Sequence, residues 1–423
     1  MKYKVLFFDS WKGGIGSFHR LVQPLKAVGI DSMLLHLGSW GNEPVCVREE
    51  TLKDLKIRDI SYYNSKNFDE ILDIEKPDLV LFLSTATFAH RAFIRYCHIK
   101  NIPTLFTFHS IARVESVDKG DTPYKTNIIA YIIFVLQRLP TLLTKALPCY
   151  IRALIKTKAT KKDWFYLIEN LIDHVRKPSK RKVSLDAKTT LCSIYTDVDK
   201  TYAIEAYGFA VDEIISVGNP DLIEFGFKAA HVGCMHNLAS TSSNDKVLYI
   251  DTGYAATGLF FANGDEQLQH IVATSNALRN QGKEMYFKPH PATLQLLNLD
   301  ILKKENIKII NNPSLITTLQ SCCAVIAETS TLALIPALMG LPLLLPRYGK
   351  LHALKFGHVL SSYPNTQILS NLDNFKEAIT QCQDGFDGNK LKEWTATNLG
   401  PLPAEDMPKR VTDIVLSLIH QNK

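Results

Sequence analysis

The sequence predicts an α/β protein of two doubly wound Rossmann-like domains facing a central cleft, and three observations predict it. Short continuous apolar runs alternate with helical patterns through both halves of the chain. Runs of that kind belong to parallel strands covered on both faces. Clusters of Gly, Pro, Ser, Thr and His stand at the ends of the runs, where open parallel sheets bind ligands. A small polar stretch at 236–245 (HNLASTSSND) separates the two series and reads as a linker. The 423 residues suit two or three domains, and a 46% hydrophobic content excludes a disordered chain.

In the first series, residues 5–8, 32–37, 78–83, 103–108, 190–194 and 213–217 read as strands. Helices are expected at 19–28, 69–74, 88–99 and 199–207, with Gly13-Gly14-Ile15-Gly16 as a turn after the first strand. In the second series, strands are expected at 247–250, 284–288, 307–310, 324–327 and 342–345, with helices at 266–281 and 313–321 and one ending at Met339. Gly340 stands where a helix C-cap glycine belongs. Val411, Ile414, Val415, Leu418 and Ile419 form the stripe of an amphipathic final helix. The expected division is 1–240, 241–400 and a closing helix within 401–423 that returns to the first domain.

The charge is local. Residues 151–185 hold ten Lys/Arg against three Asp/Glu, which exceeds the formal net charge of +6 and leaves the rest near neutral. A nucleic-acid binder usually carries a broader basic surface, so no nucleic-acid partner is expected. The basic stretch follows an apolar one in a helical insertion at about 121–185, where Pro140 and Pro148 are expected to break any long helix. Apolar helix, lysines and Trp164-Phe165-Tyr166 suit docking on an anionic membrane surface; the alternative is an insertion packed on its own domain with solvated lysines. The longest apolar run, 128–136, is far short of the roughly 20 residues of a membrane span. The N-terminus lacks a signal-peptide pattern, and the eight cysteines contain no C-x-x-C, so a cytoplasmic, reducing location is expected.

Lys288-Pro289-His290-Pro291 follows a strand, and a histidine held there can bind a phosphate or protonate a leaving one. Glu328-Thr329-Ser330-Thr331 follows another strand and opens a helix. The hydroxyls can serve as helix caps or face an anion, and the carboxylate would suit ribose hydroxyls. Gly13, Gly14 and Gly16, with His19 nearby and His109 at another strand end, are candidates for a donor or acceptor platform. They spell neither G-x-G-x-x-G nor a P-loop. Asp197-Val198-Asp199 is the only D-x-D, and it precedes a helix, so capping explains it and no essential metal or other cofactor is expected.

In these residues the chain resembles GT-B glycosyltransferases of bacterial surface-polysaccharide synthesis. Lys288-Pro289-His290-Pro291 and Ser330-Thr331 are similar to the HP and SS/ST motifs of bacterial sialyltransferases and Kdo transferases, and CDP-glycerol phosphotransferases carry a similar pair. Val217-Gly218-Asn219-Pro220 closing the first domain also fits. The resemblance implies a metal-independent transferase that uses a CMP-linked acidic sugar, such as CMP-sialic acid or CMP-Kdo. The acceptor would be a glycan or lipid-linked glycan of capsule, O-antigen or lipooligosaccharide synthesis. It implies that His290 binds the donor phosphate with Lys288, Pro291, Gly253, Thr329, Ser330 and Thr331, and that Glu328 approaches ribose or base. A general base must be a carboxylate in the cleft, and Asp251, Asp265, Glu266 and Asp9 are the candidates. Rival readings are a CDP-glycerol-type phosphotransferase, a UDP-sugar transferase, a 2-epimerase-like enzyme, and a non-catalytic membrane-associated scaffold.

Overall fold

The computed structural model describes residues 3–40, 47–65, 67–108, 139–176, 188–235, 245–257 and 260–422. His109, the 177–182 basic run, residues 124–138 and the linker at 236–244 lie outside the described residues.

The first sheet contains β1 (Tyr3–Asp9), β2 (Ile30–His36), β3 (Glu49–Leu52), β4 (Leu55–Asp59), β5 (Leu79–Phe82), β6 (Thr104–Thr107), β7 (Leu191–Ile194) and β8 (Ile214–Ser216). Its order among the described residues is β3-β4-β2-β1-β5-β6-β7-β8. Every pairing is parallel except that of β3 with β4. The second sheet contains β9 (Lys246–Ile250), β10 (Glu284–Lys288), β11 (Lys308–Ile309), β12 (Cys322–Ala327), β13 (Leu343–Pro346) and β14 (Thr366–Leu369), in the order β11-β10-β9-β12-β13-β14 and all parallel. Val5–Phe8, Leu79–Phe82 and Val247–Ile250 are buried throughout, as expected of strands covered on both faces.

This topology places the ligand edges. In the first sheet the chain leaves β1 toward β2 on one side and β5 on the other, so the strand order reverses between β1 and β5. In the second it reverses between β9 and β12. Crevices outside the carboxyl ends at such points are where doubly wound sheets bind ligands.

Two expectations are corrected. The glycine-rich segment is not a turn: it lies in the first turns of the Trp11–Ala27 helix, which Ser10 caps by accepting from the Gly13 N–H at 3.2 Å. A Cβ on Gly14 would stand 2.7 Å from Leu34 Cδ2, so this glycine lets the helix lie close on β2. Nor does Pro148 break its helix. Residues Leu142–Ala146 wind as a wide π turn leading into Leu147–Lys156, with Pro148 in the first turn of that helix, where a missing N–H costs little.

The insertion enters between the neighbouring strands β6 and β7. Cys149, Tyr150, Ala153 and Leu154 are buried in one apolar cluster with Phe88 and Phe93 of the Phe88–Ile99 helix. The next helix, Lys161–Arg176, leaves Phe165 60% and Ile168 55% exposed. The final helix, Met407–Gln421, buries Val411, Ile414, Val415, Leu418 and Ile419 and packs on the Trp11–Ala27 helix and β5. Arg410 donates to the Val217 carbonyl at 2.9 Å and Asn422 to the Asn101 carbonyl at 2.6 Å. Gly218 has φ +98°, and a Cβ there would stand 2.9 Å from the Pro401 carbonyl oxygen. The carboxyl ends of β7 and β8 therefore meet the last part of the chain.

Candidate functional site

At the carboxyl edge of the second sheet, Asp251 organises the loops. It is 3% exposed at the end of β9. One oxygen accepts from the Gly253 N–H and from Gln267 Nε2, both at 2.8 Å; the other accepts from the His290 N–H at 2.9 Å. A carboxylate at a strand end, facing free N–H groups, links the β9 and β10 loops in this way. Gly253 has φ +88°, and a Cβ there would lie 2.8 Å from His290 Nδ1. The position needs glycine both for its backbone angle and for the approach of the imidazole.

His290 is the exposed N-cap of the Pro291–Leu294 turn, and its Nδ1 accepts from the Ala292 N–H at 3.2 Å. An accepting Nδ1 leaves the ring proton on Nε2. Pro291 supplies the fixed φ of a first helical position. Lys288, 7% exposed, donates to the Pro289 carbonyl at 3.3 Å. Burial draws its pKa down, while the charge of Asp251 opposes the shift.

Ser330 caps the turn Thr331–Ala333 by accepting from the Leu332 N–H at 3.2 Å, and both hydroxyl residues remain half-buried. Thr329 is buried and its hydroxyl bonds Tyr254 Oη. Glu328 differs from expectation. It is fully buried, accepting from Tyr249 Oη and the Thr252 N–H, each at 2.8 Å. Burial, with the charge of Asp251 beside it, pushes its carboxyl well above the usual range. Enclosed in the domain, the Glu328 carboxyl group holds the Thr252 backbone.

The base candidates separate in the same way. Asp251 accepts three hydrogen bonds and is 3% exposed, so it is committed to the loops and closed to an acceptor hydroxyl. Glu266 accepts from the Ala262 N–H at 2.7 Å and pairs with Lys350; hydrogen bonding to Lys350 lowers its pKa. Asp265 is exposed and lines a groove with Leu268, Val272 and Ile301 along the Gly264–Arg279 helix. Asp9 alone of the four stands at the reversal point of the first sheet. Its Oδ1 accepts from the Ser10 N–H at 2.6 Å, and its Oδ2 lies 3.8 Å from His90 Nε2. His19 bonds the Ile15 carbonyl in its own helix at 2.8 Å.

Two residues escaped sequence reasoning. Thr252, at the end of β9, has a buried hydroxyl and gives its N–H to Glu328. His90 sits inside a helical apolar pattern that hides it, although Thr87 three residues earlier is a readable cap. Asp197 of the D-x-D pairs with Lys200 at 3.0 Å and with Ser216. Among the described residues no three His, Cys, Asp or Glu side chains converge as a metal site.

No protein-family model matches the chain, and no curated protein matches it in sequence. Solved structures do match. A glycosyltransferase from Rickettsia africae ESF-5 aligns over 99% of this chain and 99% of its own, with TM-score 0.51 and 13% identity. A variant of the wall teichoic acid polymerase TagF aligns over 99% of this chain and 89% of its own, with TM-score 0.51 and 10% identity. A UDP-GlcNAc 2-epimerase from Methanocaldococcus jannaschii, in complex with UDP-GlcNAc and UDP, gives TM-score 0.48 at 14% identity over 99% and 100% of the two chains. At such identities the likeness speaks for the fold alone. Two largely parallel sheets, each with its own reversal point, and the match of the first two structures over 99% of this chain give it the GT-B fold of two Rossmann-like domains.

Proposed function

We propose that the chain is a glycosyltransferase that takes its group from a nucleotide-activated donor bound at the carboxyl edge of the second sheet. The observation that supports it most is the His290 loop. Asp251 fixes its backbone, Ala292 fixes its tautomer, and the Ser330-Thr331 turn follows β12 on the same carboxyl edge. A ring N–H, hydroxyls and helix-start N–H groups together suit a phosphate, and the same Nε2–H can stabilise the charge that builds on a leaving nucleotide. In this reading no metal is required. The resemblance of the two motifs favours a CMP-linked acidic sugar and a glycan acceptor.

Thermal stabilisation by CMP, CDP, UDP and GDP, with and without EDTA, tests the donor. Binding to the folded state raises Tm by mass action, worth about 2.7 kcal/mol at a ligand concentration of 100 Kd. A shift with CMP, unchanged by EDTA, is the expected result. A shift confined to CDP, accompanied by glycerol phosphate transfer, would replace the sugar donor with the CDP-glycerol alternative. Absence of any shift would remove the nucleotide reading.

We also propose that the enzyme works at an anionic membrane surface. Among the described residues no helix is long and apolar enough to cross a membrane. Ile155, Phe165 and Ile168 are nevertheless 65%, 60% and 55% exposed, beside Lys158, Lys161 and Lys162. Exposed apolar groups rimmed by lysines suit an acidic leaflet. Phe165→Ser with Ile168→Ser should weaken flotation with phosphatidylglycerol vesicles at least tenfold, since at about 0.8 kcal/mol per buried CH2 the loss of about two such groups is enough. Undiminished flotation would exclude this helix as the docking face.

A further inference from the structure

We propose that Asp9 accepts the proton of the acceptor hydroxyl and that His90, pinned by Thr87, is the positioning residue that holds Asp9 for this task. The inference rests on the transferase reading above and adds the half of the site that the second domain does not supply.

The placement follows from the topology. β1 and β5 are parallel neighbours in register from Val5↔Leu79 to Phe8↔Phe82, and the strand order reverses between them. Asp9 ends β1, and His90 lies in the first turn of the helix that follows β5. Both side chains therefore rise at the ligand-binding crevice of the first domain.

The geometry gives each atom a role. Thr87 caps the Phe88–Ile99 helix, and its hydroxyl lies 2.6 Å from His90 Nδ1. With the hydroxyl donating to Nδ1, the ring proton is on Nε2, which stands 3.8 Å from Asp9 Oδ2. His90 is 7% exposed, and Nε2 and Oδ2 are both buried with no hydrogen-bond partner. Two buried polar atoms that face each other just beyond hydrogen-bond length form a pair that a small side-chain rotation closes.

The Asp9 side chain keeps 13% of its surface exposed. With Oδ2 buried, that opening belongs to the Oδ1 side, next to exposed Ser10. A Cβ on Gly13 would stand 3.3 Å from Oδ1 and 2.8 Å from Ser10 Oγ, so the glycine keeps the approach clear.

The remaining charges nearby are accounted for. Asp9 is level with His36 on β2, but His36 faces its own carboxylate, Asp59, at 3.4 Å. His19 on the Trp11–Ala27 helix is turned to the Ile15 carbonyl. Arg91, next to His90, is buried. Burial disfavours the Asp9 charge, yet the His90 ring and the Ser10 N–H outweigh it and hold the carboxyl below its ordinary range. Asp9 is thus ionised at neutral pH.

The step balances. The acceptor oxygen forms a bond to the anomeric carbon as the bond from that carbon to the nucleotide phosphate oxygen breaks. The electron pair leaves with the nucleotide, and the hydroxyl proton passes to the outer oxygen of Asp9.

The test is Asp9→Asn in the full chain, assayed for transfer and for nucleotide-induced thermal stabilisation. Transfer should fall about 10²- to 10⁴-fold, the usual span for a general base, with nucleotide stabilisation retained. Retained transfer would overturn the proposal. His90→Phe should move the acidic limb of the kcat/KM profile to higher pH, because Asp9 loses the group that favours its charge, and His90→Gln should move it back. An unmoved limb would reduce His90 to a structural residue. Should the wild type transfer no group from any donor, the transferase reading fails. Carbon NMR titration of the Asp9 carboxyl still decides the pair, by its upward shift or its constancy in His90→Phe.

Discussion

His290→Ala is expected to cut transfer by about 10²-fold or more, the contribution typical of a positioned proton donor. The alanine also removes a cap, which costs about 1 kcal/mol. His290→Asn separates the two effects. Asparagine is a good N-cap, so its side-chain oxygen can replace Nδ1 as acceptor for the Ala292 N–H. It cannot supply the Nε2 proton at the same place. The expected pattern is a near-native Tm for His290→Asn with activity as low as that of His290→Ala. An active asparagine variant would show that His290 only caps the turn.

Asp251→Ala should have the largest effect on stability. It strips an acceptor from three donors at once: the Gly253 and His290 N–H groups and Gln267 Nε2. The Gly253 and Gln267 donors are buried and cost about 1–3 kcal/mol each when orphaned, the part-buried His290 N–H less, so a loss of about 3–5 kcal/mol is expected. For a domain of this size that lowers Tm by about 10 °C. The loops that present His290 and Gly253 would lose their common anchor, so nucleotide stabilisation should vanish at temperatures where the variant is still folded. Native nucleotide binding in the folded variant would show that the site on the second sheet does not depend on this carboxylate.

These variants also mark how much of the site could be read from residues alone. The strand–polar cluster rhythm located the His290 and Ser330 loops, because strand ends and caps are local features. It could not rank the carboxylates. Asp9, Asp251, Asp265 and Glu266 all stand near strand ends in sequence. Their difference lies in partners that come from distant segments, such as His90 for Asp9 and Lys350 for Glu266. Glu328 misled for the same reason, since its partners Tyr249 and Thr252 belong to another strand. The glycines misled locally: three glycines read as a turn, yet the Ser10 cap and the approach to Leu34 stabilise a helix there. The β3–β4 hairpin, turned by Lys53 and Asp54 at positive φ, and the half-exposed edge strand β14 carry too little apolar alternation to be seen.

What the sequence determined by itself is what short-range chemistry controls. The apolar runs made parallel strands, the 3.6-residue stripe at Val411–Ile419 made the closing helix, and the total apolar content made cores for two sheets. The tertiary structure alone decided the strand order, and with it the two reversal points. It also decided which charged groups are spent on loops and which remain available for chemistry. Burial and hydrogen bonding set a carboxylate's role, and both are properties of neighbours that only the folded chain brings together.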